Sequence, residues 1–323
     1  MKILILGGAG MMGSGTVRDL VSVLSAGVSE VHVADTTSER VGALVESLGD
    51  PRLTAHTMDV ADGAAPGMSN MICKAVAEEL DTIDRINLYW AATADGPANP
   101  VLVPPYAVST VLAEYALPSQ QFIEGGLREV PAMSGHEVIE LPAPWGTTEF
   151  IHSIHSEPLT VPFAAGIAEK GIREFTWKLS LPQQEHDTWA ALIRVGFRDF
   201  EDPIEIGGVA IKPDDYLARL IARNMERHAE EIPEQAGHEI HFADGAGTKD
   251  GQPHEIRCAI TSGPDPLYDD YLDAGTSMNV SIAAQLLLNN PQKPGVWGPE
   301  EYFEVEPYFA ELEKRHFDIH RSG

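Results

Sequence analysis

The sequence predicts an α/β protein: a Rossmann-type parallel sheet, shortened after its third strand, joined to a second domain of α+β type. Three observations predict it. A short apolar run, Lys2 to Leu6, ends in glycines and gives way to apolar residues at helical spacing. Short strands and helices then alternate up to Val60, the pattern of a parallel sheet with crossover helices. Beyond Leu80 the pattern changes to strands and hairpins with interspersed helices.

Each element has a local reason. Lys2 to Leu6 is uninterrupted and apolar, as a fully buried parallel strand is. Met12 to Leu24 repeats apolar residues at the helical period. Glu30 to Ala34 is a second strand, closed by Asp35. Ser38 caps a helix from about Glu39 to Leu48, and Arg52 to Val60 is the third strand. Gly67 to Leu80 is a further helix and Ile86 to Ala92 a further strand, followed by the Gly/Pro-rich loop Asp95 to Pro105. Asp187–Val195 and Asp214–His228 read as helices. Ala243 to Gly251, rich in turn residues, reads as a hairpin loop between His238–Phe242 and His254–Ile260. Thr276–Leu288 and Glu300–Arg315 close the chain as two helices that pack back on the first domain.

The first turn carries the chemistry. Gly8-Ala9-Gly10-Met11-Met12-Gly13 follows a strand and opens a helix, and Asp35 ends the next strand about 20 residues on. Gly8 permits the tight turn, Gly10 lets backbone approach a pyrophosphate, and Gly13 lets helix and strand pack closely. The helix N-terminus offers free N–H groups and about half a positive charge. These six residues, with Asp35 and Thr36 at the ribose and Asp59 and Val60 flanking the adenine, are the expected cofactor site. The carboxylate of Asp35 argues for NAD over NADP, because it repels a 2′-phosphate. Arg40 lies close enough in sequence to soften that preference, so NADP stays open.

Composition narrows the partners. The 323 residues are 43% hydrophobic, enough for real cores in about two domains. The net charge is −27, from 49 acidic against 22 basic residues. Such a field repels phosphate backbones, so nucleic acid is not an expected partner. The acidic residues are dispersed, which suits a highly solvated surface in a salty medium. The segment has no run approaching the ~20 apolar residues of a membrane span. A cytoplasmic protein with no membrane partner is expected. Cys73 and Cys258 sit in apolar periodic segments and are expected free and buried. The motifs of serine acyl transfer and of phosphate-loop ATP hydrolysis do not occur.

A family resemblance spans nearly the whole chain. Leu4 to Gly10, Val33-Ala34-Asp35, Ala65-Pro66-Gly67-Met68-Ser69-Asn70, Thr110 to Tyr115, Val130-Pro131-Ala132, His155-Ser156-Glu157-Pro158, Gly275-Thr276-Ser277 and Gly295 to Glu301 together resemble the saccharopine dehydrogenase-like oxidoreductases, lysine 6-dehydrogenase type. The resemblance implies a dinucleotide-binding domain at 1–85, rejoined by 276–323, with an α+β substrate and dimerisation domain inserted at 86–275. It implies a homodimer. It also implies NAD(P)-linked chemistry at a carbon–nitrogen bond of an amino acid or amine. The sequence departs from the family where Val60 runs almost directly into Ala65-Pro66-Gly67. About fifty residues that build the nicotinamide half of a two-halved dinucleotide fold are missing there.

The remaining site residues are expectations of the same kind. His155 is the expected proton-exchanging residue, with Glu157 beside it in the substrate cleft. Tyr89 and Asp95 sit where the first substrate-domain strand ends, and a core aromatic with a turn is the plain alternative. Thr276 precedes a helix whose N–H groups suit a substrate carboxylate, or simply caps it. No metal is expected: His152 and His155, three apart on a strand, face opposite ways, and His238-Glu239-Ile240-His241 lacks the spacing that puts two ligands on one helical face. Two other functions stay open. One is a dinucleotide-binding sensor or assembly protein without dehydrogenase activity. The other is a carbon–nitrogen lyase or synthase that recycles NAD.

Overall fold

The computed structural model describes residues 2–25, 27–35, 37–57, 67–95, 97, 99–197, 202–233, 236–268, 274–289 and 297–323. The N-terminal elements are β1 (Lys2–Leu6), α1 (Met11–Val21), β2 (Glu30–Asp35), α2 (Ser38–Leu48), β3 (Leu53–Thr57) and α3 (Met68–Glu78). Then come β4 (Thr82–Asp95), α4 (Val108–Ala116), β5 (Ser119–Ile123), β6 (Gly126–Val130), β7 (Glu137–Glu140), β8 (Thr147–His152), α5 (Glu157–Thr160) and β9 (Glu174–Ser180). They are followed by α6 (Gln183–Leu192), β10 (Ile204–Ile206), β11 (Val209–Ile211), α7 (Pro213–Arg227), β12 (Ala236–Lys249) and β13 (Gln252–Ser262). The chain closes with α8 (Ala274–Asn289), α9 (Pro299–Tyr302), α10 (Val305–Glu313) and β14 (Asp318–Ser322). Among the described residues no helix is long and apolar enough to cross a membrane.

The chain divides into two compact units. The first comprises residues 1–75 and 265–319. Its parallel sheet has the order β1-β2-β3, with Ile5 beside Val33 and Val33 beside Ala55. Ile5, Val31, Val33 and Leu53 point to one face and join Val17, Leu20, Val41 and Leu44 of α1 and α2 in one core. The C-terminal helices belong to this unit. The Thr16 hydroxyl donates to the carbonyl of Ser277 on α8 at 3.0 Å. Arg315, just past α10, is fully buried against the equally buried Asp19 of α1 and donates to it from Nε and Nη2.

The second unit comprises residues 76–264 and 320–323. Among the described residues its main sheet runs β14-β13-β12-β4-β9-β5-β6, with the β7–β8 hairpin paired to β9. Only β4 and β9 run parallel in it among the registers given; β12, β13, β5, β6 and β8 pair antiparallel.

The structure corrects several boundaries. Ala243 to Lys249 is not a loop: β12 runs straight through it, and the chain turns at Asp250 and Gly251, both at positive φ. The small residues serve packing. A Cβ on Gly245 would lie 2.2 Å from Val76 Cγ1, and one on Gly247 1.9 Å from the carbonyl oxygen of Thr82. Thr37, not Ser38, is the N-cap of α2, and Gly49 in the left-handed region ends that helix. The last helix divides in two at Phe303 and Glu304. The third strand is described only as far as Thr57, so its expected end at Val60 lies outside the described residues.

Candidate functional site

Two sites emerge, one in each unit. In the first unit, β1 turns through Gly7 at φ +69° into α1. The turn is closed by two hydrogen bonds, from Gly10 N–H to Gly7 O and from Gly8 N–H to Ala34 O, both 2.9 Å. Gly8 has no room for a side chain, since a Cβ would lie 2.6 Å from Val33 Cγ1. Gly13 is tighter still: its Cβ would lie 2.1 Å from Gly7 O and 2.8 Å from Gly8 Cα. That contact seats the first turn of α1 directly on the strand end. Gly10 is the N-cap, no side chain caps the helix, and its first turn holds no acidic residue. The helix start therefore carries neither a side-chain cap nor an acidic residue of its own, which fits a diphosphate.

Asp35 is 9% exposed, and its Oδ2 accepts from Ala9 N–H at 3.1 Å. Arg40 closes the turn from the other side, donating from Nη2 to Ala9 O at 2.8 Å. A carboxylate and a guanidinium thus both touch Ala9, where a ribose would approach. Met11 and Met12 open α1. Thr36, Asp59 and Val60 lie outside the described residues.

Residues 3–69 match the family model of the saccharopine dehydrogenase NADP-binding domain. That stretch is similar to the saccharopine dehydrogenase NADP-binding domain. The N-terminal unit thus carries a nicotinamide-dinucleotide-binding domain, with the match running through the turn and β1 to β3. Across its length the chain shares its fold with the apo histidine-tagged saccharopine dehydrogenase (L-Glu forming) from Saccharomyces cerevisiae. The identity is 12%, the match covers 99% of each chain, and the TM-score is 0.68. No curated protein matches the sequence.

The segments that carried the resemblance also meet in space. Asn70 of α3 donates to the buried carboxylate of Glu300 on α9 at 2.8 Å. Tyr308 donates to Asn279 of α8 at 2.8 Å, and a Cβ on Gly67 would press on that Asn279 side chain at 3.0 Å. They form a buried polar joint that holds α8, α9 and α10 to the start of α3.

In the second unit, His155 follows β8 and stacks on Trp177 of β9 with ring centroids 4.1 Å apart. Its Nδ1 bonds the carboxylate of Glu157, a fully buried side chain at the start of α5 that also accepts from Ser156 Oγ. Partial desolvation lowers the His155 pKa, but the charge and hydrogen bond of Glu157, with Glu114 behind them, outweigh it and raise the value. His155 is about one-third exposed, its side chain at 35%. Its Nε2 has no hydrogen bond in the structure.

Glu114 of α4 is 8% exposed, and its carboxylate is pushed up to about 7 by burial, only partly offset by the hydroxyl of Tyr106 and the charge of His155. His241 of β12 sits opposite Trp90 of β4. Burial holds its pKa down to about 3, so it stays neutral. Leu88 is paired with Trp177, and alternation places Trp90, His241 and Trp177 on one sheet face. The arrangement is an imidazole–carboxylate pair whose imidazole has a raised pKa, a carboxyl raised to about 7 and a neutral imidazole, walled by aromatics. Glu114, Tyr106, Trp177 and His241 were not singled out from the sequence as site residues. Only the buried-face spacing of Glu114 in α4 hints at one of them.

Other expected site residues lie elsewhere. Tyr89 is 2% exposed; its ring stacks on Phe242 at 4.6 Å and meets Phe150 edge-on. Its hydroxyl donates to Glu137, so the aromatic-core alternative describes its surroundings. Asp95 is the last residue of β4. Thr276 does not precede a helix but lies in the first turn of α8. His152 ends β8, hydrogen-bonded to Ser134, and burial lowers its pKa to about 4. Among the described residues, no group of three or more metal-ligating side chains converges.

A cavity of about 290 Å³ opens beside the ends of β4 and β9, lined by Thr93, Trp145, Glu149, Ser180, Gln183 and His186 among others. The indole N–H of Trp145 and the hydroxyl of Thr93 are buried there without a partner. His186 of α6 is bonded through Nδ1 to the hydroxyl of Tyr115, the neighbour of Glu114.

Proposed function

We propose that this protein is an NAD(P)-dependent oxidoreductase acting on the carbon–nitrogen bond of an amino acid or amine. The observation that carries the proposal is the turn at Gly8–Gly13, closed down to backbone contact at Gly13 and ending in an uncapped, acid-free helix start. When bound, the nicotinamide accepts or returns a hydride. The chain's residues account for the rest. The first turn of α1 holds the diphosphate, and Asp35 receives a ribose hydroxyl. Arg40 beside it tempers the rejection of a 2′-phosphate.

His155 handles the proton at the substrate nitrogen through its unengaged Nε2. Glu157 fixes the ring through Nδ1 and raises its pKa, which favours the protonated His155 that donates during reduction. In the oxidative direction it must first lose that proton, and oxidation therefore gains rate as pH rises through its raised pKa. The aromatic walls of Trp90 and Trp177 limit water, and acidic Glu114 and Glu157 suit a cationic amine. The substrate enters as a small molecule.

The test is absorbance of reduced cofactor, with NAD and NADP against lysine, saccharopine and related amines. Turnover that drops by about 10²–10⁴ in His155→Ala, with cofactor affinity unchanged, is the expected result. Turnover equal to the parent's removes His155 from the mechanism. Cofactor binding without turnover across the panel favours the non-catalytic dinucleotide-binding reading, which the three-stranded described sheet of the first unit supports.

A further inference from the structure

The cavity of about 290 Å³ beside the ends of β4 and β9 is lined by residues of the second unit alone. Strand alternation separates it from the cleft of His155. On β4, Thr93 points to the same face as Tyr89, opposite Trp90. On β9, Ser180 points to the same face as Lys178, opposite the Trp177 on which His155 stacks. The chemistry at His155 makes no use of this pocket.

Its walls are built before any ligand arrives. The turn between β7 and β8, which carries Trp145, is closed by a hydrogen bond from Leu141 N–H to Gly146 O at 2.9 Å. The Trp145 side chain packs on the core around Tyr89 and Phe150 and meets His238 edge-on, with ring centroids 6.2 Å apart. The indole nitrogen of Trp145 and the hydroxyl of Thr93 are both buried, and among the described residues neither has a hydrogen-bond partner. Buried polar groups are normally paired, because leaving one unpaired forfeits its hydration. An indole N–H can only donate, so this one calls for an acceptor inside the cavity.

Charge decides what kind of acceptor. Thr148, Ser180, Gln183 and His186 add groups that both donate and accept. Neither Lys nor Arg occurs among the described residues that line the cavity, and its one carboxylate, Glu149, is paired with His136 at 2.8 Å. An anion would find no countercharge there, in a molecule of net charge −27. A cation would leave the indole N–H unanswered, and an apolar molecule would strand both orphaned groups. What remains is an uncharged molecule with several oxygens that accept and donate. The volume is close to the lower end of the roughly 300–1,000 Å³ of small-molecule sites, which suits a single sugar-sized ring.

We propose that this cavity binds a small uncharged polyol or sugar ring, with the indole N–H of Trp145 donating to one of its oxygens and the Thr93 hydroxyl exchanging a hydrogen bond with another. The ligand's hydroxyls replace the waters that would otherwise serve these groups.

Proton–nitrogen correlation spectra of the full chain test this through its five indole N–H signals. Trp145→Phe assigns the Trp145 signal by its loss. In the parent that signal should shift saturably with D-glucose or myo-inositol, and should stay in place with equal concentrations of putrescine or acetate. Trp145→Phe keeps an aromatic ring without the donor, and Thr93→Val keeps the shape without the hydroxyl. Each should weaken sugar binding, read by ligand-observed saturation transfer, by about three- to tenfold. Circular dichroism confirms that each variant is folded, and the Thr93 variant decides the matter if the tryptophan variant is not. The readout needs neither cofactor nor turnover at His155. A Trp145 signal that none of glycerol, myo-inositol, D-glucose and D-xylose moves overturns the proposal and leaves the cavity to water. So does a signal that putrescine or acetate moves as far, or folded variants that bind as tightly as the parent.

Discussion

Glu114 is buried on α4 with a carboxyl raised to about 7, against 4.5 when free. The native state therefore holds a proton that the unfolded chain releases between those values. Stability from this group is fully present below about 4.5 and is lost as pH rises toward 7. Glu185 of α6 has the same sign, raised to about 7 by burial, while buried His241, lowered to about 3, stabilises the fold less as pH falls below 6.5. Subtraction isolates Glu114. Glu114→Gln should remove a difference on the order of 3 kcal/mol between pH 4.5 and 7.5 from the parent's urea-derived stability profile. Parallel profiles for parent and variant would mean that the carboxyl ionises freely in the native state. The sequence exposed Gly8, Gly10, Gly13 and Asp35 because their spacing is local. It could not reveal that Glu114, His155, Glu157 and His241 come together, because β-sheet pairing between residues far apart in the sequence brings them there.

At the scale of elements, β12 shows how composition misleads. Its Ala243-Asp244-Gly245-Ala246-Gly247 stretch has the residues of a turn, yet the glycines admit the close approach of α3 and β4. The two pressures select the same amino acid, and only the neighbours tell them apart. Gly247→Ala should cost about 1–3 kcal/mol or more, since its Cβ meets backbone that has no rotamer to yield. Gly245→Ala meets the flexible end of Val76 and should cost less. Thermal melts rank them: the Gly247 variant should melt lower than the Gly245 variant, and the reverse order would contradict the packing described for β12. The parallel sheet, by contrast, was legible strand by strand, because Lys2–Leu6 and Glu30–Asp35 are short runs ended by glycine or an acid, although Leu4 is 54% exposed and the first strand is not fully buried as its apolar run predicts.

At the scale of the molecule, charge and fold pull apart. A net charge of −27 on 323 residues sets the surface against itself, and the buried Asp19–Arg315 pair and the apolar cores must hold against it. Between roughly 0.01 M and 1 M salt the screening length falls from about 30 Å to 3 Å. The melting temperature should rise across that range, and a fall would place the dominant electrostatics in attractive surface pairs instead. The two units divide after Ala75 and again after Pro264, whereas the resemblance implied boundaries after residues 85 and 275. The same acidic field opposes an anionic cofactor, so cofactor affinity too should strengthen with salt until the diphosphate's own contacts are screened.

Calorimetric titration of NADH and NADPH in high salt, against the parent and Gly13→Ala, bears most directly on the role of the N-terminal turn. The account predicts saturable one-site binding of at least one of the two by the parent. In the folded variant, where a methyl would strike Gly7 O, that binding should be lost or at least tenfold weaker. A parent that takes up neither dinucleotide, or a folded Gly13→Ala that binds as tightly as the parent, would contradict it.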